Sequence, residues 1–252
     1  MKLIIRTLIL VIIFLIGIFA GIGLQIKEMP VKILNKLSYM LSDNIKAIND
    51  TSTIYLKVRT FKPATNPKKF DTEKDATYQY EFKKIDLSES AIILMDVWES
   101  HPNDGLTNRI RKNINEKIIP LIETARRKDI TLIHAPHQRK IANSIILSEE
   151  DIHLDKLLIY STKAFSEFLN KKNINTLFYA GYSSNWCLMH RPEGIIAMNK
   201  LGYDTYLIRD CTIALESPNT LKGEWANKVI INTCEHQFGG SVLLKDIKTS
   251  LN

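Results

Sequence analysis

The stretch Thr176–Met198, TLFYAGYSSNWCLMHRPEGIIAM, decides how the chain is read. Thr176–Tyr182 is a short apolar run of aromatic and small residues, broken by Gly181 and followed by two serines, the pattern in which a buried parallel strand ends. Leu188, Ile195, Ile196 and Met198 then recur at roughly helical spacing, which predicts a helix over Cys187–Lys200. Ser183, Ser184 and Asn185 can each cap its start, because their side chains accept the free backbone N–H groups there. Cys187 is thereby expected in the first turn of a helix, at the carboxyl end of a strand. The positive end of the helix dipole favours a thiolate at that point, and the thiolate is the form that attacks carbon. The same residue can equally be an inert core cysteine, so its reading depends on what meets it.

Outward from this stretch, strand and helix alternate. On the amino-terminal side, Ala91–Met95 (AIILM) is a continuous apolar run ending at Asp96. Arg109–Arg127 follows an amphipathic helical pattern broken only by Pro120, Ile130–Ala135 (ITLIHA) is a strand closed by Pro136, and Lys163–Lys172 is a helix. On the other side, Gly202 stops the helix after Cys187 and Asp204–Ile208 is a strand ending at Arg209–Asp210. Leu221–His236 reads as a helix and Ser241–Leu244 as a last short strand. Such alternation implies right-handed crossovers and a mainly parallel sheet with helices on both faces, a three-layer α/β fold. No glycine-rich dinucleotide or P-loop motif follows the first strand, so no nucleotide cofactor is expected. Sites in these sheets form at the carboxyl ends of strands, and two reactive groups fall there: Asp96 and Cys187. A carboxylate that takes a thiol proton and relays it to a leaving amine is what covalent acyl transfer needs. An aspartate closing a strand is otherwise a turn former.

The chain has 252 residues, 45% hydrophobic and 24% charged, enough for one domain with an appendage. Its formal net charge of +7 comes from lysines spread along the whole length. No dense basic run with interleaved aromatics is present, which argues against a nucleic-acid partner. The three cysteines, Cys187, Cys211 and Cys234, form neither a CxxC pair nor a disulfide framework. Thr7–Ile26 carries no charge and, as a helix of about 20 residues, spans about 30 Å, the thickness of a bilayer core. Lys2 and Arg6 precede it, which by the positive-inside rule leaves the amino terminus in the cytoplasm and the rest outside. No A-x-A-like cleavage site stands out, so the expectation is an uncleaved single-pass anchor over residues 1–26, rather than a signal peptide. Residues 27–89 form a juxtamembrane extension, with a helical pattern at Val31–Ile48 and alternating stretches at Thr53–Phe61 and Tyr78–Ile85 that suit a β-hairpin. Residues 90–252 are the α/β domain.

The region from about Ser90 to Ile247 resembles the isochorismatase-like cysteine hydrolases. The likeness rests on AIILMD ending in Asp96, on Gly181-Tyr182-Ser183-Ser184-Asn185-Trp186-Cys187-Leu188 against a G-V-x-T-N-x-C-V type sequence, and on LGYDTYLIRDCT in third place. The resemblance implies a six-stranded, Rossmann-like parallel sheet and a triad in the order aspartate, lysine, cysteine. In that scheme Asp96 is the general base, Cys187 forms the covalent intermediate, and a lysine orients the pair. The resemblance also implies a cis peptide at Tyr182–Ser183 and an oxyanion hole from the backbone N–H groups of Cys187 and its turn. The lysine is the departure. Lys156 and Lys163 are the candidates, and neither sits in the family's usual sequence setting; Lys156 is preferred because Tyr160 and Phe165 follow it at suitable spacing.

Candidate substrate-binding residues are His101, His134, Tyr182, Ser183, Asn185 and Arg191, the last because its fork matches a carboxylate. In residue type, Asp96, His101, His134 and His137 resemble the zinc site of nicotinamidase-like relatives, but the spacing does not match, and no metal or other cofactor is expected. The reading is a membrane-tethered hydrolase acting on a small amide or related C–N bond in a small-molecule substrate, with homo-oligomer formation left open. The alternatives are a catalytically silent binding protein on the same fold, at the membrane, and a vinyl-ether hydrolase of the isochorismatase type.

Overall fold

The computed structural model describes residues 52–64 and 72–250. The expected membrane span at Thr7–Ile26 and the helix at Val31–Ile48 lie outside these residues. Among the described residues no helix is long and apolar enough to cross a membrane.

Eight strands form one sheet. They are β1 (Thr53–Lys62), β2 (Thr77–Asp86), β3 (Ser90–Met95), β4 (Thr131–Ala135), β5 (Ile152–His153), β6 (Thr176–Tyr182), β7 (Asp204–Ile213) and β8 (Ser241–Val242), in the order β2-β1-β8-β7-β6-β3-β4-β5. The six strands from β8 to β5 run parallel, as the alternating pattern requires. The count of six is corrected to eight because the β1–β2 hairpin adds itself antiparallel to the β8 edge. Strands β1 and β2 thus extend the edge of the α/β sheet. One ion pair fastens the join: Arg59 Nε donates to Glu235 Oε1 at 2.7 Å, and Ser241 Oγ of β8 donates to the same oxygen.

Every residue of β3 and β6 is buried, which is why both read as unbroken apolar runs. Their side chains alternate between two cores. Ile92, Leu94, Phe178 and Ala180 pack with Leu106, Ile110, Ile118 and Leu121 on one face; Ala91, Ile93, Met95, Leu177 and Tyr179 pack with Phe165, Leu169 and Met198 on the other. Each such side chain contributes about 1.5–3 kcal/mol by leaving water. The first face is covered by α1 (Asp104–Asn113) and α2 (Ile119–Arg127), joined without a break by a π turn over Ile114–Ile118. Pro120 falls at the start of α2, directly after the π turn. The second face carries α3 (Thr162–Lys171), α4 (Cys187–His190) and α5 (Ile195–Lys200).

The single helix expected over Cys187–Lys200 is two. Pro192 has no N–H to continue the first, so α4 ends at His190 and α5 starts after Gly194. That break sets Arg191 and Glu193 on a connecting loop. Strand β7 is longer than expected and bulged against β6: Tyr179 pairs with Leu207, but Gly181 pairs with Thr212. The carboxyl-terminal helices are α6 (Pro218–Leu221), α7 (Trp225–Gln237) and α8 (Leu244–Ser250).

Candidate active site

Asp96 leaves β3 fully buried, with a φ of +48°. Strict alternation would send its side chain to the face of Ile92 and Leu94; the left-handed backbone breaks that alternation, a conformation that costs a non-glycine residue roughly 1–3 kcal/mol. His137, just past the end of the neighbouring strand β4, is also left-handed, at φ +51°. The two turned residues meet: His137 Nδ1 lies 3.2 Å from Asp96 Oδ1. Arg191 Nη2 donates to Asp96 Oδ2 at 2.8 Å. The Cys187 thiol stands at the end of the adjacent strand, near enough to this carboxylate for each to shift the other's acidity. Behind His137, its Nε2 stands 2.9 Å from Oε1 of the buried Glu193, whose own backbone carbonyl accepts the Tyr179 hydroxyl at 2.8 Å. Asp96, His137 and Glu193 therefore stand in one polar row beside Cys187.

Burial sets the acidities. It pushes Asp96 up to about 6, against the hydrogen bond of Cys187 and the charge of Arg191. It likewise pushes Glu193 up to about 7. For Cys187, burial and the Asp96 hydrogen bond and charge act together and push the thiol up to about 12, while the backbone N–H groups of Ser183 and Cys187 pull the other way. The helix expected to favour a thiolate is short: α4 has only four residues, and no side chain caps it. The resting pair is a thiol beside a carboxylate. The peptide Tyr182–Ser183 is cis.

Several expected residues are placed elsewhere. Lys156 lines an open cavity with Arg139 and His153, and among the described residues no hydrogen bond or ion pair joins it to Asp96 or Cys187. Lys163 is on α3. The cation on Asp96 is Arg191, because the Pro192 break turns the residue four after the cysteine back toward the sheet. Arg191 is thus a partner of the Asp96 carboxylate in this structure. His134 stacks on His153 with ring centroids 5.0 Å apart and contacts Asp151 Oδ2 at 3.3 Å, inside the sheet. His101 belongs to the loop before α1, where its Nδ1 accepts from Asn103 N–H and its backbone brackets Thr107 Oγ1. The Tyr182 hydroxyl donates to Asn113 Oδ1 in the core, and Asn185 exchanges two hydrogen bonds with Leu215, at 3.0 Å each. These side chains are bonded within the fold, while Ser183 of the turn is half-buried. Of the four residues compared with a zinc site, only Asp96 and His137 come together, so the set does not assemble. Among the described residues no group of three or more His, Cys, Asp or Glu is arranged to hold a metal ion. Glu193 is a site residue that strand and helix patterns do not single out; its one signal is the Arg-Pro-Glu-Gly run, a helix break carrying an acid next to the cysteine.

Comparison with known proteins follows the same boundaries. A cysteine hydrolase from Pseudomonas syringae pv. phaseolicola 1448A superposes with a TM-score of 0.53 at 16% identity, covering 66% of this chain and 94% of that one. An isochorismatase from Pseudomonas putida KT2440 (TM-score 0.47, 16% identity, 63% and 90% covered) and a nicotinamidase from Staphylococcus aureus (0.46, 13%, 62% and 99%) are also similar. At these identities the likeness is one of fold. No curated protein sequence matches the chain. The Isochorismatase domain matches residues 90–226, from the first residue of β3 through the cysteine turn and into α7, more than half of the chain. With that domain and the three-layer architecture on which Asp96 and Cys187 meet, the chain belongs to the isochorismatase family.

Proposed function

We propose that the chain is a cysteine hydrolase that cleaves a small amide or related C–N bond. The observation that carries this reading is the meeting of Asp96 and Cys187 at the ends of two paired strands, β3 and β6, with Arg191 bonded to the carboxylate. At neutral pH Asp96 is ionised yet basic enough to accept a proton, and Cys187 holds the proton it would give. Because the thiol is so weak an acid, proton transfer belongs to the attack itself. The S–C bond forms as the S–H proton moves to Asp96 and the carbonyl electron pair moves to oxygen. Backbone N–H groups of the Ser183–Cys187 turn would face that oxygen. Collapse breaks the C–N bond, and the amine departs with the proton from Asp96. Water then attacks the thioester, giving a proton to Asp96; the acid leaves and the sulfur recovers its proton. Arg191 takes the orienting part expected of Lys156, holding the carboxylate in place throughout.

The test is mass spectrometry of the full chain incubated with a panel of small amides. An adduct on Cys187, absent in Cys187→Ala, supports the proposal; no adduct and no turnover with any amide overturns it. The raised thiol favours a second reading, a silent binding protein, which predicts that second outcome together with saturable ligand binding. A membrane tether is part of the proposal, resting on the uncharged span Thr7–Ile26 and on Lys2 and Arg6 before it. Membrane fractionation and protease protection test it: an extracytoplasmic domain is digested from outside the cell.

A further inference from the structure

Beside the Asp96 site lies an open cavity of about 400 Å³. Its position is fixed by the turn that carries His137. Pro136 and Arg139 of that turn line the cavity, while His137 between them touches Asp96. The opposite wall is the loop after it, held to the segment leaving Asp96 by the bridge between Trp98 and Ile141 and by the bond from Ala142 N–H to the Val97 carbonyl at 3.0 Å. Catalytic carboxylate and cavity thus share both of their framing segments.

The lining carries three cations, Arg139, Lys140 and Lys156, with His153 beside them. Its one carboxylate, Asp155, already accepts the Gln138 N–H at 2.6 Å. Among the described residues none of the three cations has an ion-pair partner. Arg139 is also preorganised: its guanidinium lies 4.3 Å from the centre of the Trp98 ring, and Trp98 is pinned by its own Nε1–H bond to the Pro136 carbonyl at 2.8 Å. A stacked guanidinium keeps its in-plane donors free for a planar anion. Ile145 and Leu147 supply an apolar floor. Arg191, the residue that could have held an anionic substrate at the cysteine itself, is committed to Asp96.

We infer that this cavity is an anion subsite, centred on Arg139 and Lys156, which holds the carboxylate arm of a small ω-amido acid while its amide end meets Cys187. The inference rests on the hydrolase reading and sharpens it to a substrate class. It also gives Lys156 work away from the sulfur.

The experiment pairs each ω-amido acid with its uncharged counterpart on the full chain: succinamate with butyramide, glutaramate with pentanamide, adipamate with hexanamide. In at least one pair the acid should be preferred by roughly tenfold or more in kcat/KM, and the preference should shrink as ionic strength rises. Arg139→Gln should cut that preference roughly tenfold, Arg139→Lys less, since a point charge replaces the fork. Lys156→Gln, a change at an exposed residue that leaves folding intact, should cut it about threefold. A second readout needs no turnover: glutarate binding by calorimetry, present in wild type and weakened in Arg139→Gln. Glutarate binding without cleavage of any amide sinks the hydrolase and keeps the subsite. Cleavage with no preference in any pair, and no glutarate binding, sinks the subsite and keeps the hydrolase.

Discussion

Asp96 and Asp151 are each buried against one histidine and one arginine, on either side of β4. Asp96 has His137 and Arg191; Asp151 has His134 and Arg126. Their acidities nevertheless move in opposite directions. Burial pulls Asp151 up, but hydrogen bonds from Arg126 and from the Ser148 N–H outweigh it, and the carboxyl ends below its ordinary range. At Asp96 burial wins, because the enclosure is complete and outweighs both the Cys187 interaction and the charge and hydrogen bond of Arg191. His134, pushed by burial down to about 4, stays neutral and serves Asp151 as a fixed donor. The same three residue types therefore make a brace in one place and a proton acceptor in the other. What separates them is depth of burial, complete at Asp96, and the Ser148 N–H that Asp151 has in addition to its arginine.

The sharpest way to break this contrast is to remove the acceptor. Asp96→Asn and Cys187→Ser should each lower amide hydrolysis by roughly a thousandfold or more, whereas Asp151→Asn should leave kcat within about threefold; steady-state kinetics on one turned-over amide decides. Stability should show the reverse. Asp151→Ala strands Arg126 and His134 and should cost about 2 kcal/mol, discounted because Arg126 is partly solvated, lowering Tm by roughly 4–8 °C in calorimetry. Arg191→Gln should lower kcat about 30-fold and Arg191→Lys about 5-fold, since a single ammonium replaces part of what the fork provides.

pH separates the two clusters by sign. A carboxyl raised in the fold stabilises fully below its unfolded range, and that contribution is lost as pH climbs through about 6 for Asp96 and about 7 for Glu193. Asp151, lowered, stabilises above the ordinary carboxylate range and loses that on acidification; His134 adds a loss as pH falls from 6.5 toward 4. Melting curves should therefore show Asp96→Asn relieving the decline as pH rises from about 4 to 6, and Asp151→Asn relieving the one below about pH 4. Activity should rise with pH along a limb near 6. The smallest expected effect is in thiol labelling. Iodoacetamide should modify Cys187 before the fully buried Cys211 and Cys234, slowly at neutral pH and faster as pH rises.

The parallel sheet is legible in the sequence because its central strands are buried on both faces and so are written as unbroken apolar runs. Asp96 and Cys187 are legible because strand ends are where such runs stop. Their partners are not. Arg191 reaches Asp96 only because Pro192 interrupts a helix whose apolar spacing reads straight through it. His137 reaches it only because two non-glycine residues take left-handed backbones, which no local pattern announces. Lys156 lies on the cavity lining and not on the Asp96 carboxylate, because sequence order gives no direction to a loop residue. The hairpin's place at the β8 edge hangs on a pair, Arg59 and Glu235, separated by most of the chain.

Gly181, at φ +113°, has one further consequence. A methyl built on it would run into the Met95 carbonyl, one residue before Asp96. Strands β3 and β6 thus come closest immediately beneath the acid and the cysteine turn, with only a hydrogen between them. The two reacting groups ride on jaws riveted at their base, and their gap cannot be widened by shifting a surface loop. Evolution of a new substrate in this chain would have to proceed by reshaping the walls around a fixed bite.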